Sequence, residues 1–192
     1  MTLPVSPNAL SFGAISTELG LSATATRTLN DADGRTLAGA GASGTTISIS
    51  MFWGKANVFV FNQTISASTT NYNLKAAAIT AGWNQTTKLV ATITINAGVY
   101  VYSTSTGSYA FDTGSTFPAG TTLALVNNGV ILGKGGQGGA GGNYVTGAGG
   151  AAVGAGGVGA GPAFIARQTI SVTNNGTIAG GGGGGGGGGS YI

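Results

Sequence analysis

The sequence predicts a mainly β protein in three consecutive parts: an extended N-terminal segment (1–55), a small β domain with stacked Asn-Gly turns (56–132) and a glycine-rich, polyglycine II-like distal region (133–192). Three observations carry this expectation. Runs of Val, Ile, Thr and Tyr fill the middle of the chain, a composition that suits a pleated sheet. An Asn-x-Gly triplet with β-forming residues on both sides begins at Asn96, Asn127 and Asn174. Most of the 39 glycines lie after residue 132.

In the first part, Ser16-Thr17-Glu18-Leu19 reads as a short helix start, with a hydroxyl N-cap and an acid in the first turn. Gly20 cuts that helix short. Asp33-Gly34 reads as a turn. The stretch 46–51 (TISISM) alternates as a half-buried strand does, and Phe52-Trp53-Gly54-Lys55 closes it. Large apolar residues are few, so this segment is expected to order against a partner.

In the second part, Val58-Phe59-Val60-Phe61 is a β run. Residues 73–81 are Ala-rich and helical in propensity, Gly82 sits where a helix stop belongs, and Trp83 is expected to plug a small core. Residues 93–101, 124–132 and 171–179 then align as three copies of one unit, spaced by 31 and 47 residues. Two architectures fit. In one, each unit turns at Asn and Gly above the last, as in a solenoid. In the other, each is an ordinary hairpin on a tight type I′ turn.

The glycine tracts 133–161 and 180–189 start directly after the second and third of these units, which suggests that the β units launch them side by side. Strict Gly-X-Y order is absent, which excludes collagen. Ordered tracts would be extended helices of three residues per turn, bonded through backbone N–H and C=O groups. Disordered tracts would be linkers. Ala, Val and Phe punctuate them where a linker would carry Ser, which favours order.

Composition excludes much chemistry. With no Cys and no His there are no disulfides, no thiolate or imidazole catalysis and no ordinary zinc site. Charged residues make up 6% of the chain, and the seven cations are scattered, so a nucleic-acid-binding patch is not expected. The acids are Glu18, Asp31, Asp33 and Asp112, and Asp112 has no sequence-adjacent partner for paired-carboxylate catalysis. No enzyme activity, cofactor or metal is therefore expected. The start of the chain lacks a basic region followed by an apolar core. The apolar stretch 150–166 is too short and too rich in Gly and Ala for a membrane span. Matches to dinucleotide-type glycine patterns in the tracts follow from composition alone.

Residues 15–39 (ISTELGLSATATRTLNDADGRTLAG) and 43–56 (SGTTISISMFWGKA) resemble an N-terminal segment common in tailed-bacteriophage tail proteins. The Asn-Asn-Gly units and polyglycine runs resemble the glycine-rich region of tail-fibre adhesins. Adhesins of that class pack glycine helices into a sandwich and expose variable loops to the bacterial surface. The resemblance implies that residues 1–55 attach to other phage tail proteins, with Leu19, Leu21, Met51, Phe52 and Trp53 as the interface. It implies a virion location at the distal tail, in a tail tip or fibre. It also implies a bacterial surface receptor, either an outer-membrane protein or a polysaccharide. Asn143, Tyr144 and Val145, which interrupt the first tract, are the leading receptor-facing residues, with Phe164 and Arg167 next. A homotrimer is expected, because tail fibres are usually trimers and packing around an axis suits glycine, with a monomer as the main alternative. The alternative is a purely structural tail-tip component that never touches the host.

Overall fold

Four rungs of β-structure, laid parallel on one another, organise most of the chain in the computed structural model. The structure describes residues 2–4, 10–24, 26, 28, 30–40, 46–55, 57–142 and 153–189. These fall into two compact units, one comprising Met1–Val60, Gly82–Val90 and Phe117–Thr122, the other Phe61–Ala81, Ala91–Thr116 and Leu123–Ile192. The units do not follow the three blocks read from the sequence, because the glycine tracts leave from strands inside the second unit and belong with them.

The first unit is helical where an extended segment is expected. Helix α1 (Phe12–Glu18) starts one turn earlier than Ser16: Ser11 is its N-cap, and its Oγ accepts from the Ala14 N–H at 3.1 Å. Gly20, at φ +78°, sits in the turn that follows it. Asp33 and Gly34 lie inside α2 (Ala32–Ala38), not in a turn, because Asp31 takes the N-cap position and Gly39, at φ +70°, ends the helix. Residues 46–48 are irregular, and Ile49–Phe52 form a short 3-10 helix instead of the expected strand. Local bonds from Met51 N to Ser48 O (3.1 Å) and from Trp53 N to Ser50 O (3.4 Å) take the place of a ladder. That turn swings Phe52 into a core with Leu3, Ile15, Leu37 and Ala38. Trp83 is buried in the same unit, stacked on Phe117 at 5.6 Å, with its indole N–H bonded to the Thr87 carbonyl at 2.9 Å.

The rungs are read most simply sheet by sheet. The first sheet has the order β1 (Val58–Ile65), β4 (Lys88–Ile95), β7 (Thr122–Asn127), β10 (Ser171–Asn174). The second sheet contains β2 (Thr69–Thr70), β5 (Tyr100–Tyr102), β8 (Val130–Leu132) and β11 (Thr177–Ala179), all parallel. The third sheet contains β3 (Tyr72–Asn73), β6 (Phe111–Asp112) and β9 (Phe164–Ile165), also parallel. Each of the first three rungs gives one strand to each sheet, and the fourth gives β10 and β11. Parallel neighbours cannot be hairpin partners. Helix α3 (Leu74–Thr80), capped by Asn73 Oδ1 on Ala76 N at 2.9 Å, leaves the first rung. Alternate residues of β4 point inward, so Leu89, Ala91, Ile93 and Ile95 are buried. A ladder of Tyr72, Phe111 and Phe164 runs up the third sheet, with ring centroids 5.2 and 5.4 Å apart.

The glycine segments continue this stack. Residues 133–142 leave β8 and residues 180–189 leave β11, while 153–161 return towards β9. Gly133, Gly136, Gly139 and Gly142 donate to the carbonyls of Ala179, Gly182, Gly185 and Gly188. Gly181, Gly184 and Gly187 donate to Gly161, Val158 and Ala155, and these three donate in turn to Lys134, Gln137 and Ala140, all at 2.7–3.1 Å. The bonds recur every third residue and close a triangle of three segments. Two run parallel and the third antiparallel.

Candidate functional site

The first set of candidate residues lies on the helical unit. Phe52 is fully buried and Met51 packs beside it, so both hold that unit's own core. Phe52 cannot be a surface anchor in this conformation. Leu19 is half-buried, whereas Leu21 and Trp53 are 44% and 37% exposed. Phe12, 50% exposed, and Ile49 extend the apolar surface of this unit. Sequence reasoning missed both. Placing the N-cap at Ser11 would have put Phe12 at the first helical position, outside the inward stripe headed by Ile15.

Three of the four acids, Glu18, Asp112 and Asp31, are engaged by neighbouring groups. The Glu18 side chain is fully buried and accepts from Lys88 Nζ at 3.1 Å and from the Asn57 N–H at 2.9 Å. Asp112 accepts from Arg167 Nε through both oxygens at 3.1 Å and from the Gly114 N–H at 2.8 Å. Asp31 accepts from the Thr28 hydroxyl at 2.8 Å. Among the described residues no cluster of three acids could hold a metal ion, and no helix is long and apolar enough to cross a membrane.

The second set lies on the rung unit. Phe164 is half-buried and stacks on Phe111, so it is part of the aromatic ladder. Arg167 is exposed, but its guanidinium is held between Asp112 and the Tyr109 ring, 5.3 Å from the ring centroid. Asn143, Tyr144 and Val145 lie outside the described residues.

The turns show why the triplets need their residues. Asn127 is fully buried, and its Nδ2 donates to Asn174 Oδ1 (2.7 Å) and to the Thr177 carbonyl (3.1 Å). Its Oδ1 accepts from the Gly129 N–H at 3.2 Å. One step outward, Asn175 Nδ2 donates to Asn128 Oδ1 at 2.9 Å. A Cβ on Gly129 would lie 2.6 Å from the Asn96 carbonyl oxygen, and one on Gly176 would overlap the Gly129 carbonyl. The same restriction recurs at Gly133, Gly136, Gly139, Gly154, Gly157, Gly181, Gly184 and Gly187, where a Cβ would overlap a neighbouring segment's carbonyl. Backbone hydrogen bonds, made possible by close approach at these glycines, thus hold this part of the fold together.

Comparison with curated proteins and with solved structures gives no match. The family model of the phage tail fibre adhesin Gp38 matches residues 60–192, more than half of the chain and all of the glycine-rich part. The chain therefore belongs to the phage tail fibre adhesin Gp38 family, a virion tail protein with a role in host attachment.

Proposed function

We propose that the protein is a receptor-binding component at the distal end of the tail fibre or tail tip, and that its glycine-rich part presents the contact residues to the bacterial surface. The observation that supports this most directly is the direction of the glycine segments. The first leaves β8 and reaches Gly142 beside Gly188, while the second begins again near Ala155, bonded to Ala140. In the sequence, residues 143–152 lie between Gly142 and Val153 and carry Asn143, Tyr144 and Val145. A bond interval of three residues supports reading the segments as polyglycine II helices, stiff enough to carry their far ends, Gly142 and Ala155, away from the rungs.

The N-terminal unit is the attachment part. Its exposed Phe12, Leu21 and Trp53 are large apolar groups of the kind that anchor protein interfaces, and other phage tail proteins are the proposed partners. The proposed mode of action is binding, a reading in keeping with the engagement of Glu18 and Asp112 in ion pairs. The proposed assembly is a homotrimer. Three segments of a single chain already surround one axis, which supports one copy per attachment point as the second reading. Light scattering of the purified chain separates the two.

Adsorption competition tests the main reading. Purified folded protein is added to host cells and the unadsorbed phage are counted. Blocked adsorption that disappears when residues 143–146 are exchanged supports it. Failure to bind or block leaves the purely structural tail-tip role.

A further inference from the structure

The outer face of the second sheet carries a feature that the attachment role does not use. On β5, Val101 points inward and is fully buried, so Tyr100 and Tyr102 both point outward, 48% and 43% exposed. They stand two residues apart on one strand, about 6.6 Å at the usual rise. Register continues this face across the sheet: Tyr102 lies between Thr70 and Leu132, and Tyr100 lies beside Val130. The two rings border a shallow hollow of about 390 Å³, together with Ser68, Leu132, Lys134 and Gly135. Gly135 adds no side chain, so the hollow stays open where the first glycine segment begins. Lys134 is exposed and makes no ion pair among the described residues. It is one of only seven cations in the chain.

We propose that this hollow binds an acidic oligosaccharide of the bacterial surface. The C–H faces of a pyranose carry partial positive charge and lie well against the negative face of an aromatic ring. Two outward tyrosines on one strand offer such faces to neighbouring sugar rings, and their hydroxyls can bond sugar hydroxyls. The Ser68 hydroxyl, which accepts from the Tyr100 N–H at 3.1 Å, keeps its proton for donation. Lys134 supplies one compact cation, which selects a chain bearing a carboxylate or phosphate over a neutral one. An open, shallow hollow fits a polymer passing over the surface better than an enclosed small molecule. The inference rests on the receptor-binding reading and names a second contact, on the rungs instead of the glycine segments.

The test uses the full chain on an immobilised panel of uronate-bearing, phosphate-bearing and neutral bacterial oligosaccharides, with host-cell adsorption competition run in parallel. The wild-type protein is expected to bind the acidic chains. Tyr102→Ala and Tyr100→Ala are each expected to weaken that binding roughly tenfold, as loss of an aromatic anchor does. Tyr102→Phe retains most of it. Lys134→Gln removes the preference for acidic over neutral chains. Because all three side chains face solvent, these variants keep their circular dichroism and melting temperature. The proposal is overturned if the wild-type protein binds nothing on the panel, or if the two alanine variants bind as well as wild type. Adsorption blocked equally by wild type and Tyr102→Ala would sink the sugar hollow and leave the receptor reading standing. Panel binding without any effect on adsorption would do the reverse.

Discussion

Asn127 on the third rung donates its Nδ2 hydrogen to Asn174 Oδ1 on the fourth, 2.7 Å away and 47 residues later in the chain. Asn127 is fully buried, whereas Asn174 is exposed. The two are therefore unequal. Replacing Asn127 by Leu leaves the Gly129 N–H and the Thr177 carbonyl without their partner, at a cost of about 1–3 kcal/mol. Asn174→Ala exposes its partner to water and costs less. Urea unfolding of both variants measures this, and equal midpoints would contradict the ladder.

The glycine segments make a sharper prediction, because only one residue in three is sterically required. Gly136→Ala, Gly157→Ala and Gly184→Ala each force a Cβ into a neighbouring carbonyl and should destabilise by about 1–3 kcal/mol. Gly183 and Gly186 have nothing within 4 Å, and no described glycine after Gly120 has a left-handed φ. Alanine at either of these two should be neutral, or should stabilise by roughly 0.4–1 kcal/mol through the unfolded chain. Amide exchange across 133–142 and 180–189 gives the readout. Equal exchange in both classes would mean that the triangle of bonds does not hold in solution.

These relationships show what was legible in the sequence. The β content of residues 58–132 is plain from Val, Ile and Thr at alternate positions, because alternation is itself the geometry of a strand. The triplets at Asn127 and Asn174 lie in register, with Ser171 opposite Ala124 and Thr177 opposite Val130. The triplet at Asn96 shifts the register: Asn128 N bonds Ile95 O and Val130 N bonds Val99 O, so the lower turn holds two more residues than the upper one. An alignment at 31 residues cannot show that, since bulges are invisible to spacing. The uneven 31 and 47 has a simple origin, because residues 133–161 are inserted between β8 and β9 of one rung. The alternation in 46–51 misled, because a strand needs a neighbour, and here the Met51 and Trp53 N–H groups bond the carbonyls of Ser48 and Ser50 instead of a ladder. Buried Glu18 escaped notice because its partner, Lys88, is 70 residues away.

Tyr72 links stability to alkaline pH. Its ring stacks on Phe111 and its hydroxyl donates to Gln63 Oε1 at 2.6 Å. Burial raises its ionisation above the ordinary value of 10.0. A group with a raised folded-state value binds its proton more tightly in the folded chain. Its contribution is complete below pH 10 and falls as pH rises above that, by up to about 1.4 kcal/mol per pH unit. Melting temperatures of wild type and Tyr72→Phe should therefore differ by a constant amount up to about pH 9 and converge as pH rises from about 10 to 11. A constant difference over that range would show that Tyr72 ionises as freely in the folded protein as in the unfolded one.

Phe52 and Trp53 are neighbours in sequence with opposite fates, and this separates folding from attachment. Phe52 is fully buried against Ile15, Leu37 and Leu3, so Phe52→Ala should cost about 3–5 kcal/mol and unfold the helical unit. Trp53 is 37% exposed, and its replacement by Ala should change stability by no more than about 1 kcal/mol. If Trp53 anchors the protein to its tail partners, Trp53→Ala should nevertheless reduce the amount of adhesin in purified virions. Quantitative immunoblotting of particles assembled with each variant decides the matter. Normal incorporation of Trp53→Ala, with Phe12→Ala and Leu21→Ala behaving alike, would move the attachment surface off this unit's exposed apolar residues.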